Sequence, residues 1–334
     1  MRIILIKITD LKKVRNFKKI FITGILGSGG SYLAEHIKKK NRKVKIFGCY
    51  RNKNYKILKK LNSKKIQASY CDLNNFSKLN KLIKKIKPDL VYHLASNADV
   101  RLSFDQPEKI IINNNNITIN LFHSLRKLSY QPLIILCSTS ELYGALDAKL
   151  KIDENFKIKP DNPYAVSKTF QDFLAQNYSS IYGMKIIITR MFTYLNPRRL
   201  NLFSSNWAHQ IAQIEFGKRK YLFHGNLNST RTILDIEDAM EAYWLAAKKG
   251  KIGEIYNIGG TETYKISKIL KILKSLSTKK IISKLDKKLL RKKDVKFQIP
   301  NSKKFIKDTG WKIKKNVRQS LKNLLNSQRT SLND

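Results

Sequence analysis

Acidic residues are the conspicuous shortage: 24 Asp and Glu stand against 67 Lys and Arg in 334 residues, a formal charge of +43. An excess of this size raises nucleic-acid binding as a reading. The lysines, however, are spread through every helical stretch (Lys38-Lys39-Lys40, Lys59-Lys60, Lys84-Lys85, Lys279-Lys280) instead of gathering on one motif. A solvated surface accounts for that better, and no nucleic-acid partner is expected. Cysteine is also scarce. Cys49, Cys71 and Cys137 sit in or just after apolar strand-like runs with no CxxC spacing, which excludes a disulfide framework and leaves buried free thiols in a reducing compartment. No apolar run approaches the ~18–20 residues of a membrane helix. Met1 to Ile8, broken by Lys7, is too short for a secretory leader, so the cytoplasm is expected. His93, His123, His209 and His224 lack metal-ligand spacing, and no metal is expected.

What is present is an alternation of strands and helices. Lys19–Thr23 reads as a short apolar strand, followed at once by glycines at 24, 27 and 30 and a helix from Ser31 to Lys40 with Leu33, Ala34 and Ile37 inward. Glycines between strand and helix permit a tight turn, close approach of backbone to a pyrophosphate, and a phosphate on the helix N-terminus. Gly24, Gly27 and Gly30 are therefore candidate cofactor residues. The second strand, from Val44, runs into Gly48-Cys49-Tyr50-Arg51-Asn52-Lys53 with no carboxylate to hold a ribose 2′-hydroxyl. Arg51, with Lys53 nearby, suits a 2′-phosphate, so NADP is expected, with NAD the alternative. Further strands at Ile66–Tyr70, Leu90–Leu94, Leu133–Cys137 and Met184–Met191 alternate with helices at Phe76–Ile86 and from about Ile110 to Leu128. Asn113 to Asn116 are placed on the polar face of the latter. Such alternation demands right-handed crossovers and a parallel sheet covered on both faces.

The expected fold is thus α/β, a Rossmann-type doubly wound parallel sheet over residues 18–192. Residues 1–17 form an extension. Residues 193–334 form a smaller mixed α/β substrate-binding domain with some chain returning to the first. Its helical patterns lie at 207–216, 235–248, 266–276 and 317–325, with a frayed end.

The chemistry centres on Ser138-Thr139-Ser140-Glu141 and on Tyr164-Ala165-Val166-Ser167-Lys168. A tyrosine four residues before a lysine in a helix puts both side chains on one face. An ammonium beside a phenol lowers its pKa, and the tyrosine is expected to trade a proton near neutral pH. Thr139 and Glu141 leave the carboxyl end of an apolar strand, where ligands dock in open parallel sheets. A hydroxyl, a carboxylate and an activated phenol beside a dinucleotide suit redox chemistry on a carbinol.

These residues resemble the extended short-chain dehydrogenases and, among them, the GDP-mannose 4,6-dehydratases. The matching text is ITGILGSGGSYLAE at 22–35, SFDQP at 103–107, STSELYG at 138–144 and NPYAVSK at 162–168, extended by NPRR at 196–199, HGNL at 224–227 and LLRKKDV at 289–295. The resemblance implies C4 oxidation of GDP-mannose by Tyr164 and Lys168, C5 deprotonation by Glu141 with Thr139 on the C4 oxygen, loss of water from C6 and return of the hydride there. It implies Asp72 and Leu73 framing the adenine, Leu94 and Ala95 at the cofactor's edge, and Thr193, Arg231, Arg291 and Asp294 on the nucleotide sugar. It also implies a homodimer or homotetramer. Asn97, Asp99, Thr193 and Asn206-Trp207 depart from the dehydratase pattern. The stretches 203–214 and 234–244 also resemble the GDP-4-keto-6-deoxymannose reductases, which stand as the alternative, ahead of other nucleotide-sugar epimerases or decarboxylases.

Overall fold

The structure, a computed structural model, describes residues 14–146, 148–290 and 295–333. The first half contains β1 (Lys19–Thr23), α1 (Ser28–Lys40), β2 (Lys45–Tyr50), α2 (Tyr55–Ser63), β3 (Gln67–Tyr70), α3 (Phe76–Ile86), β4 (Leu90–His93), α4 (Val100–Asp105) and α5 (Pro107–Arg126). Then come β5 (Leu133–Thr139), β6 (Lys151–Ile152), α6 (Pro163–Tyr182), β7 (Ile186–Met191), α7 (Phe203–Glu215), β8 (Leu222–His224), β9 (Thr230–Thr232) and α8 (Ile236–Lys249). The chain ends with β10 (Ile255–Ile258), β11 (Thr263–Lys265), α9 (Ile266–Ser275), β12 (Ser283–Leu285), β13 (Phe297–Pro300), α10 (Lys303–Thr309) and α11 (Val317–Asn333).

Seven strands form one parallel sheet in the order β10-β7-β5-β4-β1-β2-β3. The apolar runs are continuous because both faces are covered. Along β1, Ile20 and Ile22 join the core shared with α1 and α8, while Phe21 joins the core under α3, α5 and α6. Along β5, Leu133, Ile135 and Cys137 face the first side, and Ile134 and Leu136 the second. The strand order reverses direction between β1 and β4, and that crevice is where open sheets bind ligands.

The second lobe is a mixed sheet, β11-β9-β13-β6, a short β12-β8 pair, and α7, α9 and α11 around Trp207, Ile211, Leu273, Leu321 and Leu325. Strand β10 returns from it to the edge of the large sheet. Three details differ from the sequence reading. Helix α1 begins inside the glycine turn, at Ser28. Asn114 does not lie on a polar face: it is fully buried between α5 and α6. The final helix does not fray after 325 but runs to Asn333, tied down by Arg329 on Glu215 and by Gln328 Nε2 donating to Pro197 O at 2.8 Å. Of the proposed extension, residues 1–13 lie outside the described residues, and Phe17 is buried in the core. All three cysteines are buried and free, and no described helix is long and apolar enough to cross a membrane.

Candidate active site

A cleft of about 620 Å³ opens across the carboxyl ends of β1, β4, β5 and β7. One end is the glycine turn. Gly24 has φ +66°, and a Cβ there would lie 3.0 Å from Ala95 Cα; at Gly30 it would lie 2.4 Å from Gly24 O. Gly27 caps α1 without a side chain, and no acidic residue occupies the helix's first turn. Free N–H groups at an uncovered helix N-terminus, in a cradle that a single Cβ would fill, fit a dinucleotide pyrophosphate.

Thr139, Glu141, Tyr164 and Lys168 all line this cleft. Asn162 Oδ1 caps α6 through Ala165 N at 2.8 Å, with Pro163 at the first helical position, so Tyr164 enters from the helix's first turn. The Thr139 hydroxyl accepts from Glu141 N at 3.3 Å and so starts a 3₁₀ turn, Ser140–Tyr143, that carries the half-buried Glu141 carboxylate. Glu141 accepts from Asn162 Nδ2 at 3.3 Å. Beneath them Arg190, on β7, grips Asp172 on α6 with two bonds (Nε to Oδ2 at 3.0 Å, Nη2 to Oδ1 at 2.8 Å) and donates to Tyr143 Oη at 2.9 Å.

The expected pairing of Lys168 with Tyr164 is not what the structure contains. The shared helix face brings both to the cleft, but the Lys168 ammonium donates to Cys137 O at 2.8 Å and Gln171 Oε1 at 2.5 Å. Burial pushes the Tyr164 phenol up to about 12; the Arg199 guanidinium opposes this and the Glu141 carboxylate adds to it. Burial also brings Lys168 down to about 8. The nearer acceptors capture the ammonium, so spacing alone did not give its partner.

Of the other cofactor residues, Leu94 lines the cleft and Ala95 backs Gly24, both donating their N–H to Thr23 Oγ1 (3.1 and 3.0 Å). Arg51, Asp72 and Leu73 lie beyond the cleft wall. Arg51 is exposed and donates to Asn113 Oδ1 at 2.8 Å, which Asn74, beside the Asp72 turn, also approaches. Thr193, just after β7, and the buried Arg231, on β9 of the second lobe, also line the cleft. Arg291 and Asp294 lie outside the described residues. The departures Asn97 and Asp99 build the loop: the Asn97 backbone is held by Asn114, and Asp99 caps α4 through Arg101 N and Leu102 N. Among the described residues, no three His, Cys, Asp or Glu side chains converge as a metal site would need.

Several residues escaped sequence reasoning. Arg199 faces Tyr164 and donates to Ala98 O. Gln298 is buried in the cleft wall beside Arg231's strand, and among the described residues its Nε2 has no partner. Gln171 accepts from Lys168, and Asn114 O in turn accepts from Gln171. Only Gln171, three residues after the lysine on one helix, carried a signal in the spacing.

A parallel sheet in this order, with a glycine turn at its first crossover and a Tyr-x-x-x-Lys helix facing the same cleft, defines a Rossmann-type short-chain dehydrogenase. The profile of the GDP-mannose 4,6 dehydratase family matches residues 21–324, and the chain belongs to that family, whose members are NAD(P)-dependent. It is 27% identical over 339 residues to the GDP-mannose 4,6 dehydratase of Dictyostelium discoideum, covering 92% of this chain and 95% of that one. It is also 27% identical over 241 residues to the GDP-6-deoxy-D-mannose reductase of Pseudomonas aeruginosa, covering 71% of this chain and 79% of that one. The structure of RMD from Pseudomonas aeruginosa complexed with NADPH superimposes with a TM-score of 0.79 at 23% identity, over 94% of this chain and 99% of the other.

Proposed function

We propose that the protein is an NADP-dependent GDP-mannose 4,6-dehydratase, yielding GDP-4-keto-6-deoxymannose. One observation carries the reading: a hydroxyl, a carboxylate, a phenol and an ammonium (Thr139, Glu141, Tyr164, Lys168) share a single cleft with the glycine turn and Arg231. A bound nicotinamide would supply the hydride chemistry, as acceptor from the sugar's C4 and donor to C6. The protein supplies the proton chemistry. Tyr164 takes the C4 hydroxyl proton, and Thr139 hydrogen-bonds the C4 oxygen. The C4 carbonyl acidifies the C5 proton; Glu141 removes it and passes it to the C6 hydroxyl, which leaves as water, and the proton held on Tyr164 returns to C5 as the hydride reaches C6. Because burial, with the Glu141 carboxylate, holds the phenol too high to act as a base near pH 7, the cations on the cleft wall, Arg199 and Lys168, are assigned the work of stabilising its deprotonated form.

Arg231, with Arg291 and Asp294 by their motif and Thr193 by its place in the wall, is assigned to the nucleotide sugar. Arg51, following β2 with no carboxylate from Gly48 to Lys53, supports NADP over NAD. Asp72 and Leu73 are assigned to the adenine. A homodimer or homotetramer is assigned; an exposed apolar stripe on α6 (Val166, Phe170, Phe173 and Ile181), beside exposed Ile112 and Ile119 of α5, supports it. The place of work is the cytoplasm.

The test incubates the purified protein with GDP-mannose and catalytic NADP⁺, without reductant, and follows substrate mass. Loss of one water without net NADP⁺ reduction is expected. The reductase reading, which the Pseudomonas relative favours, gives instead no change in GDP-mannose and stoichiometric NADPH oxidation with the 4-keto-6-deoxy sugar.

A further inference from the structure

Among the described residues Lys168 has two acceptors, and neither is an acid: Cys137 O and Gln171 Oε1. Gln171 is fully buried one turn along α6. Its amide cannot be turned round, because Nε2 donates to Asn114 O and to Thr118 Oγ1, both at 2.7 Å. The Thr118 hydroxyl spends its own proton on Asn114 O at 2.9 Å, so it can only accept from His93 Nε2, also at 2.9 Å. His93 Nδ1 is then left to accept from Thr23 Oγ1 at 2.9 Å, and that oxygen in turn takes the N–H groups of Leu94 and Ala95. Every donor and acceptor has one assignment, with His93 as the Nε2–H tautomer. Burial holds His93 down to about 3, and it stays neutral at working pH. The chain of bonds runs from the lysine through α5 and β4 to β1, where the glycine turn begins.

We propose that Gln171 is a positioning residue of the active site. Its neutral carboxamide, locked by Asn114 and Thr118, holds the Lys168 ammonium at the cleft wall without neutralising it, and leaves one of the three ammonium N–H donors for a ligand in the cleft. The inference rests on the assignment of Lys168 to the site. The groups facing Lys168 agree with it. From β5 comes the Cys137 thiol, from β4 the neutral His93 and from α6 Asp172, while Tyr164 shares the cleft wall and the uncharged Asn114 and Thr118 of α5 meet Gln171. The Asp172 carboxylate is engaged by Arg190 and Ser138. Among the described residues no carboxylate forms a hydrogen bond or ion pair with the ammonium, whose loss on raising the pH is governed by burial.

The sign follows. Lys168 works as a cation, so its contribution is present below about pH 8 and disappears above it. Gln171→Glu puts an anion against the ammonium and moves that alkaline loss to higher pH. Gln171→Leu removes an acceptor and moves it lower. Two readouts are taken for both variants and for Thr118→Val, which frees the amide but keeps the Lys168 acceptor: NADP⁺ affinity by calorimetry from pH 6 to 10, and the pH profile of kcat with GDP-mannose. Gln171→Leu is expected to lower kcat by about 10-fold or more with KM within about 3-fold, and Thr118→Val to act less in the same direction. The alkaline limb of Gln171→Glu is expected to rise by about one pH unit.

Unshifted limbs in folded variants, judged by circular dichroism and melting, overturn the proposal. If a Gln171 variant fails to fold, the Thr118→Val limb decides: unshifted, it refutes. Should the wild type turn over no GDP-mannose, the dehydratase reading falls by itself, and the calorimetric limbs still decide the role of Gln171.

Discussion

Removing the Arg190 guanidinium is expected to cost more stability than any other single polar change near the cleft. Its side chain is 2% exposed and that of Asp172 is 0%, so the pair is closed to water. Burial would lower the Arg190 pKa, but the hydrogen bonds and charge of Asp172 override it and hold the guanidinium protonated. Arg190→Met keeps most of the side chain's volume but takes two donors from Asp172, which retains only Ser138 Oγ at 2.7 Å and Gln176 Nε2 at 2.9 Å. It also orphans the Glu154 carbonyl at 3.1 Å. Breaking a buried pair from one side typically costs about 3–5 kcal/mol, because a charge is left behind without compensation. That is a large share of a total near 5–15 kcal/mol. The assay is urea unfolding followed by tryptophan fluorescence and circular dichroism, on Arg190→Met, Asp172→Asn and the double variant. The double variant is expected to be more stable than Arg190→Met by about 1 kcal/mol or more, since it no longer buries a lone carboxylate. If Arg190→Met costs under about 1 kcal/mol, or the double variant is the least stable, then burial of an ion pair is the wrong account of this contact.

Three further outcomes are expected. Gly30→Ala drives a Cβ to 2.4 Å from the Gly24 carbonyl oxygen, a backbone atom that cannot step aside. NADP⁺ affinity should drop by about 10-fold or more by calorimetry, and an unchanged affinity refutes the close-packing role of this glycine. Glu141→Gln should lower kcat on GDP-mannose by about 100-fold or more while leaving calorimetric binding of the sugar nucleotide nearly intact; a kcat within about 3-fold of wild type removes the carboxylate from the proton chemistry. Glu215 would be raised by burial, but hydrogen bonds from Arg329, Thr278 N and Ser277 hold it at about 2 against an ordinary 4.5. A depressed carboxylate stabilises above its ordinary pKa and loses that contribution as the pH falls from 4.5 towards 2. Arg329→Met is therefore expected to cost about 1–3 kcal/mol at pH 7 and progressively less below pH 4; equal penalties at pH 7 and pH 3 refute the ionic account.

The large sheet was readable because burial on both faces leaves a run of apolar residues with no polar alternation to confuse it. Lys19–Thr23 and Phe76–Ile86 fall where the pattern puts them, and β5 is longer only by Ser138 and Thr139. The second lobe was less readable because its strands are short: β8, β9, β11 and β12 have three residues each, below any period that can be seen in the chain. The end of the chain misled for a related reason. Residues 326–333 look polar, but Gln328 and Arg329 are anchored by Pro197 O and Glu215, partners more than a hundred positions away.

The site shows the same limit in sharper form. Helical spacing establishes that Tyr164 and Lys168 share a face, and both reach the cleft. It does not establish what an ammonium with three donors will choose among the acceptors around it. That choice is made by Cys137, 31 positions upstream, and by Gln171, whose amide is oriented by two residues of another helix. An asparagine run such as 113–116 looks solvent-facing because most buried asparagines need partners that a sequence does not display. Asn114 finds them in Ser167 and the Asn97 backbone, and becomes the hinge between α5, α6 and the cofactor-edge loop. Buried neutral amides are therefore the part of this site that spacing conceals. They can hold a cation where a carboxylate would neutralise it, and that is the physical reason to expect the charge of Lys168 to answer to Gln171.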